Sequence, residues 1–270
     1  MSAIDVWAQI TTERMAASPW LSTLLRWTGR DGKAVVPTLE TTLAAMDAAG
    51  VDISLLAGWH GPQGSLISNE EVSDHIDAAP DRFRGLATVD LSDPMQAVRD
   101  IRHWVDGTRF VGVRVVPWLW DLPPNDRRYY PVYAACIDAG VPFCTQIGHT
   151  GPLMRSETGR PIPYLEDVLL DFPELVVVGG HVGFPWINEL ISLTIKFPNF
   201  YVDTSAYAVH RLPRDFVEFM KGVGSSRVMF GTNWPMLSPA RCLKQIKDLD
   251  LTSEQQEAFL SGNARRVFKL

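Results

Sequence analysis

Cysteine is scarce in this sequence, and the segments that direct a chain to a membrane are missing. Cys136, Cys144 and Cys242 are the three cysteines among 270 residues, and they form no Cys-x-x-Cys pair. A sparse, odd set is typical of a reduced cytoplasmic protein. The N-terminus lacks the basic and apolar regions of a signal peptide, and no apolar run approaches the roughly 20 residues that span a bilayer. We therefore predict a cytoplasmic protein that does not bind membranes.

Basic runs and nucleotide-binding loops are also absent. The chain has 25 Lys and Arg against 31 Asp and Glu, a formal charge of −6, and no basic stripe. This composition argues against nucleic acid as a partner. Neither Gly-x-Gly-x-x-Gly nor Gly-x-x-x-x-Gly-Lys-Ser/Thr occurs. Their absence argues against the doubly wound open sheet, whose nucleotide-binding turn is rich in glycine.

The sequence does contain short apolar runs that alternate with amphipathic segments from end to end. Apolar residues make up 46% of the chain, as in ordinary globular proteins. The predicted strands are Ala3–Val6, Asp52–Ala57, Phe83–Asp90, Phe110–Val116, Val141–Ile147, Leu175–Gly180, Phe200–Asp203 and Arg227–Gly231. The segments with helical spacing include Thr38–Ala49, Asn69–Ala79, Pro94–Val105, Tyr129–Ala139 and Trp186–Phe197. Several of the strands are nearly unbroken apolar runs, as expected of strands that are covered on both faces.

This alternation predicts an α/β fold with a parallel sheet. Strands joined by helices pair in parallel through right-handed crossovers, and eight such units close into a (β/α)8 barrel, the TIM barrel. The length of 270 residues suits one barrel domain over residues 1–270. A doubly wound sheet is the alternative, although it usually has fewer strands. The segment 251–270 predicts two amphipathic helices that close the bottom or the rim of the barrel.

In such a barrel the active site lies at the carboxyl ends of the strands. Polar and aromatic residues at the predicted strand ends are Trp7, Gln9, Trp59, His60, Arg114, Trp118, His149, His181, Ser205, Tyr207, Asn233 and Trp234. Imidazoles and a guanidinium at one mouth cost desolvation energy, so their presence together indicates a function. The alternatives are structural, because the histidines could hold loops, Arg114 could join two strands through an ion pair, and the tryptophans could be packing.

Several motifs follow one another in an order that resembles a known family. They include Phe110-Val-Gly-Val-Arg, Gly180-His-Val-Gly-Phe-Pro-Trp, Arg227-Val-Met-Phe-Gly-Thr-Asn-Trp-Pro and Gly262-Asn-Ala-Arg-Arg-Val-Phe. This order resembles the amidohydrolase-related family, in the branch that includes aminocarboxymuconate-semialdehyde decarboxylase and other metal-dependent decarboxylases and hydrolases. The resemblance covers nearly the whole chain. It implies a (β/α)8 barrel with one metal ion at the mouth, and often a homodimer.

The chain departs from that family's pattern at the metal-ligand positions. Family members usually carry His-x-His at the end of the first strand, where this chain has Trp7 and Gln9. Their aspartate after the eighth strand is Asn233 here, so His149 and His181 are the ligand positions that match. Tryptophan has no lone pair for a divalent ion, and amides bind zinc poorly. We therefore predict a site without a tightly bound metal; a zinc ion, if one is held, would bind His149 and His181.

The remaining groups favour acid–base chemistry on a small molecule. His149 and His181 are the predicted acid and base, and Asn233, with Gln9, holds an oxyanion. Arg114 is predicted to bind a substrate carboxylate. The other predicted substrate-binding residues are Trp7, His60, Trp118, Tyr207 and Trp234, which would form an apolar pocket for a ring.

Hydrolysis without a Lewis acid requires an electrophile that is already reactive. The sequence therefore predicts a hydrolase of an activated ester or lactone, on a small cyclic or aromatic, carboxylate-bearing substrate. Three alternatives stay open: a non-oxidative decarboxylase of an aromatic or enolic acid, a divalent-metal-dependent hydrolase, and a barrel that only binds a ligand.

Overall fold

The computed structural model describes residues 2–27, 34 and 36–270, and ten strands lie in these residues. They are β1 (Ala3–Ala8), β2 (Val51–Ala57), β3 (Trp59–Gly61), β4 (Gly64–Ile67), β5 (Phe83–Ala87), β6 (Phe110–Val115), β7 (Phe143–Gln146), β8 (Val177–Gly180), β9 (Phe200–Asp203) and β10 (Val228–Met229). Eight of them form one sheet in the order β1-β2-β5-β6-β7-β8-β9-β10, and each pairs in parallel with the next.

The two edges of this sheet meet, which closes the barrel. The backbone N–H of Val6 donates to the carbonyl of Phe230 at 3.0 Å. Nearer the carboxyl ends of the same strands, Ala8 forms a parallel bridge with Trp234. The predicted (β/α)8 barrel is therefore confirmed.

The five predicted helices are present, with ends that differ by at most two residues. They are Leu39–Asp47, Asn69–Ala78, Pro94–Trp104, Tyr130–Ala139 and Ile187–Lys196. Side-chain caps explain several starts, since Thr38, Ser68 and Asp93 each accept a backbone N–H of the first turn. The other helices are Glu13–Ala16, Leu21–Trp27, Pro117–Trp120, Glu166–Asp171, Arg214–Lys221, Pro239–Leu243, Ser253–Glu257 and Asn263–Phe268. No helix of the described residues is both long and apolar enough to cross a bilayer.

The C-terminal segment closes the amino end of the barrel. Ser253–Glu257 and Asn263–Phe268 are joined by a π turn, Ala258–Gly262, so the two predicted helices form one nearly continuous segment. Val267 and Phe268 pack against the barrel's inward-facing residues, such as Ile4. Because this end is plugged, the carboxyl end of the strands is where a ligand can enter.

Two segments at the carboxyl end were not predicted as regular structure. The antiparallel hairpin β3–β4 follows β2 at once, and the apolar segment after β6 contains the helix Pro117–Trp120. Both are short, and neither has enough residues to show a period of its own. The hairpin carries Trp59 and His60, and the helix carries Trp118 and Trp120, so these additions shape the barrel mouth.

Candidate active site

A cavity of about 560 Å³ opens at the carboxyl end of the barrel strands. Its apolar wall includes Trp59 and Trp118, whose ring centroids lie 5.9 Å apart at an angle of 65°. Its polar lining residues are Gln146, His149, His181, Tyr207, Arg211, Asn233 and Arg241. No Asp or Glu of the described residues lines the cavity. The lining therefore combines an apolar corner with groups that bind anions or exchange protons.

His181 follows β8 directly and forms part of the cavity floor. Its Nδ1 lies 2.6 Å from the Ser205 hydroxyl, and the Ser205 backbone N–H donates to Asp203 Oδ1 at 2.8 Å. Burial, together with the nearby Arg114 and His149, lowers the pKa of His181 to about 3. Burial raises the pKa of Asp203 to about 6. His181 is thus a neutral imidazole at neutral pH, and Ser205 connects it to a buried carboxyl.

His149 lies on the loop after β7, which is held to the loop after β8. The backbone N–H of His149 donates to the carbonyl of Phe184 at 2.7 Å, and the two rings meet edge to face at 5.5 Å. The Gln146 amide donates to the carbonyl of His149 at 3.1 Å. Burial lowers the pKa of His149 below its ordinary value of 6.5. Both cavity imidazoles are therefore neutral at pH 7.

Gln9, Asn233 and Arg114 form a buried hydrogen-bonded row, of which Asn233 lines the cavity. Gln9 Nε2 donates to Asn233 Oδ1 at 3.0 Å, and Arg114 Nη2 donates to Gln9 Oε1 at 3.3 Å. The Arg114 guanidinium carbon lies 4.4 Å from the centre of the Trp7 ring. Arg114 Nε and Nη1 have no hydrogen-bond partner among the described residues, and burial lowers the Arg114 pKa to about 9. Arg114 thus lies behind the cavity wall as a desolvated cation.

The other predicted substrate-binding residues divide into two groups. Trp118 and Tyr207 line the cavity, whereas Trp7, His60 and Trp234 do not. His60 stacks on Trp120 and lies 3.7 Å from Asp90, and the Trp234 indole N–H donates to Thr42 at 3.3 Å. The cavity includes three polar residues that sequence reasoning did not select: Gln146, Arg211 and Arg241. For the two arginines, the signal in the sequence that could have identified them is their position in the segments after the last two barrel strands.

The backbone is strained where the site residues lie. Of the eight non-glycine residues with left-handed φ angles in the described part of the chain, four lie within four residues after a barrel strand: His181 (76°), Val182 (49°), Ala206 (66°) and Asn233 (70°). Such angles are rare, and each costs on the order of 1–3 kcal/mol unless its surroundings impose it. Strained residues cluster at functional sites, so this group identifies the cavity floor as the working end of the barrel.

The Trp7 ring packs against Gly180, where a side chain would occupy the same space. A larger residue at position 180 is therefore expected to destabilise the fold. A Cβ at Gly180 would lie 2.5 Å from Trp7 Cζ3, well inside van der Waals contact. We expect Gly180→Ala to lower the free energy of unfolding by about 1–3 kcal/mol, the usual effect of overpacking. Urea denaturation of Gly180→Ala, Trp7→Leu and the double variant measures this. If the double variant loses as much free energy of unfolding as the two single variants lose together, the two residues do not interact, which would contradict the contact.

Comparisons with known proteins bear on this site. "Gamma-resorcylate decarboxylase" of Polaromonas sp. is 21% identical over 86% of this chain and 84% of its own length. The crystal structure of an uncharacterized TIM-barrel protein, Bb4693 of Bordetella bronchiseptica, is 26% identical, covers 100% of this chain and 99% of that chain, and has a TM-score of 0.85. The 5-carboxyvanillate decarboxylase of Sphingomonas paucimobilis is 20% identical, with the same coverage and a TM-score of 0.74.

Two sequence-based predictions are contradicted by these proteins. Matching relatives are named as decarboxylases, so the interpretation as a hydrolase is wrong and its decarboxylase alternative is favoured. The expectation of a site without metal is contradicted by manganese in solved neighbours. One is the 5-carboxyvanillate decarboxylase of Novosphingobium aromaticivorans, 19% identical over 99% of this chain and 96% of that chain, with a TM-score of 0.72.

The donors of this chain can be compared with what manganese requires. Among the described residues, no three His, Cys, Asp or Glu side chains form a group that could hold a metal ion. The cavity offers two imidazoles, His149 and His181, and the Asn233 amide, whose oxygen already accepts from Gln9. Manganese favours six ligands rich in carboxylate and carbonyl oxygen. The described donors do not match that coordination, which is a clear difference from the manganese-bound neighbours.

A family model described as Amidohydrolase matches residues 67–270, about three quarters of the chain. The matched region includes every charged residue that lines the cavity and the strands from β5 to β10. With the closed barrel and its site at the carboxyl end, this match shows that the chain belongs to the amidohydrolase family.

Proposed function

We propose that this protein is a non-oxidative decarboxylase, a carbon–carbon lyase that acts on a small aromatic acid. The observation that carries the proposal is a cavity that is lined both by an apolar corner and by His181, and in which both fully charged lining residues are arginines. The names of the matching relatives support the same reaction class.

The apolar corner suits a flat ring. The indoles of Trp59 and Trp118 meet nearly at right angles, so a ring can stack on one indole and touch the edge of the other. The Trp118 N–H donates to Gln146 Oε1 at 2.5 Å, which holds that indole in place. The corner therefore orients an aromatic ring without using polar groups.

The chemistry requires that a proton replace the carboxylate on a ring carbon while CO₂ leaves. Nδ1 of His181 is engaged with Ser205, so Nε2 is the nitrogen that remains for a substrate. A neutral imidazole can give up its Nε2 proton when Nδ1 takes one from Ser205 in the same step. The buried Asp203 carboxyl, whose Oδ1 accepts the Ser205 backbone N–H at 2.8 Å, lies beside that hydroxyl and returns a proton to it from its acid form, which is populated near its pKa of about 6. The proton reaches the ring carbon, and Asp203 is left as the carboxylate.

The proposal is tested by supplying hydroxylated aromatic acids and measuring CO₂. We expect purified protein to convert 2,6-dihydroxybenzoate or 5-carboxyvanillate, with and without added Mn²⁺, into equal amounts of CO₂ and the decarboxylated phenol. Benzoate is the matched control, because it has no ring hydroxyl to stabilise the protonated ring. Consumption of an acid without CO₂, or no CO₂ from any hydroxylated aromatic acid under either condition, would overturn the proposal.

A further inference from the structure

The buried row of Arg114, Gln9 and Asn233 has hydrogen bonds whose direction is fixed by chemistry. Arginine carries donors alone, so the Gln9 atom that faces Arg114 Nη2 at 3.3 Å is the amide oxygen. The Gln9 amide nitrogen therefore points the other way, where it donates to the carbonyl of Trp234 at 2.5 Å and to Asn233 Oδ1 at 3.0 Å. A backbone carbonyl is an acceptor alone, so Trp234 requires the same orientation of Gln9 independently.

The backbone holds the two amides of the row in place. The Gln9 backbone N–H donates to the carbonyl of Trp234 at 3.1 Å, and the Asn233 backbone N–H donates to the carbonyl of Trp7 at 2.7 Å. Gln9 and Arg114 are each only 1% exposed. A reversed Gln9 amide would place its N–H groups against those of Arg114 without solvent to compensate, which is costly.

The row ends at the cavity with a donor. Asn233 lines the cavity, and its Oδ1 already accepts from Gln9. Among the described residues, Asn233 Nδ2 has no hydrogen-bond partner. The atom of this side chain that remains for a bound molecule is therefore an N–H donor.

The cation at the far end strengthens this donor. A hydrogen bond from a charged group is stronger than one between neutral groups, and bonds in a chain polarise one another where water is excluded. Arg114 is such a group, and its guanidinium is buried. Its charge therefore increases the positive character of the N–H groups along the row, up to Asn233 Nδ2.

We propose that Asn233 Nδ2 donates to the carboxylate of the aromatic acid, and that Arg114 and Gln9 are positioning residues that fix Asn233 as a donor. Arg114 then acts on the substrate through two amides, in place of the direct contact that its residue type predicts. The identity of the bound anion rests on the proposed decarboxylation, whereas the direction of the row rests on its hydrogen bonds.

The test compares salicylate with salicylamide, which keeps the ring and the hydroxyl but is neutral. Dissociation constants are measured by quenching of tryptophan fluorescence, because Trp59 and Trp118 line the cavity. We expect the natural protein to bind salicylate at least about tenfold more tightly than salicylamide. Asn233→Gly removes the donor and suits the left-handed backbone at this position, where φ is 70°. It should remove most of the preference.

Gln9→Glu tests the direction of the row at nearly constant size. Both oxygens of the introduced carboxylate are acceptors, so one accepts from Arg114 and the other from Asn233 Nδ2, which turns Asn233 Oδ1 toward the cavity. We expect salicylamide, which has N–H donors, to bind more tightly than salicylate in this variant. A loss of packing alone would weaken both ligands alike. The control Gln96→Glu, at an exposed residue of the helix Pro94–Trp104, should keep the natural preference.

The role of Arg114 is tested by two substitutions. Arg114→Met removes the donors that set the direction of Gln9 and should reduce the preference for salicylate several fold. Arg114→Lys also provides a cation with donors alone, so it should restore part of the preference. If Arg114→Met does not fold, Arg114→Lys and Gln9→Glu still decide the question, because each keeps a charged group at its position.

The outcomes separate the donor from the proposed reaction. Equal binding of salicylate and salicylamide by the natural protein, or a preference that survives Asn233→Gly, would overturn the donor. An unchanged preference in Gln9→Glu would overturn the positioning role of the row. If all variants behave as expected but no hydroxylated aromatic acid releases CO₂, the donor is upheld and the decarboxylation is contradicted.

Discussion

Replacing His181 with asparagine is expected to lower kcat for CO₂ release by about 10²- to 10⁴-fold, the usual range for loss of a general acid. Asparagine cannot pass a proton from Ser205 to the ring carbon, although it is polar and smaller than histidine. The tryptophan corner is untouched, so the dissociation constant of the aromatic acid should change only a few fold. Single-turnover release of CO₂ and fluorescence titration measure the two quantities separately.

Two further variants serve as comparisons for the loss of kcat in His181→Asn. His103→Asn changes an exposed histidine in the helix Pro94–Trp104 and should leave kcat unaltered. Ser205→Ala removes the 2.6 Å partner of His181 Nδ1 and should cause a smaller loss than His181→Asn, because water can substitute for a hydroxyl. Near-normal kcat in His181→Asn would exclude His181 as the proton donor.

The contribution of one buried carboxyl, Asp5, to the stability of the protein should fall as pH rises from 4 to 7. This residue lies in β1, and its Oδ1 accepts the backbone N–H groups of Trp7 at 3.1 Å and Thr232 at 2.9 Å. Burial raises its pKa from 3.8 to about 7, more than these hydrogen bonds lower it. The folded protein thus binds this proton more tightly than the unfolded chain does. The resulting stabilisation is complete below pH 4 and is lost as the pH passes the folded pKa.

The size of the effect follows from the shift. At 1.36 kcal/mol per pKa unit, the contribution of Asp5 falls by about 3 kcal/mol between pH 4 and pH 7. We expect the difference in free energy of unfolding between the natural protein and Asp5→Asn, measured in urea, to change by several kcal/mol between pH 4 and pH 7. Asp81→Asn, at an exposed carboxyl, should show no such change. A pH-independent difference for Asp5→Asn would show that Asp5 titrates normally.

The interpretation as a hydrolase failed for a physical reason. The residue types at the strand ends predicted acid–base groups, but hydrolysis and decarboxylation both use an imidazole and an anion-binding group. What distinguishes them is the position of the transferred proton relative to water and to the ring. In the structure His181 contacts Ser205 and lines the same cavity as the apolar corner, an arrangement that no spacing in the sequence expresses.

The placement of single side chains was likewise beyond sequence reasoning. Trp7, Gln9 and Arg114 end their strands as predicted but lie behind the cavity wall. Which face of a strand end meets the cavity depends on the tilt and stagger of the whole barrel. Arg211 and Arg241 line the cavity from the connections that follow β9 and β10, whose paths depend on tertiary contacts rather than on local periodicity.

The sequence by itself determined the barrel and the neighbourhood of its site. Apolar runs with helical segments between them require a parallel sheet covered on both faces, and parallel strands bring residues such as His149 and His181 to one end. Tertiary structure alone decided which of those residues face the ligand, how strongly burial shifts their pKa values, and where the backbone adopts left-handed angles. These properties arise from contacts between residues far apart in the chain, as when Ser205 meets His181, and they exist only once the barrel has closed.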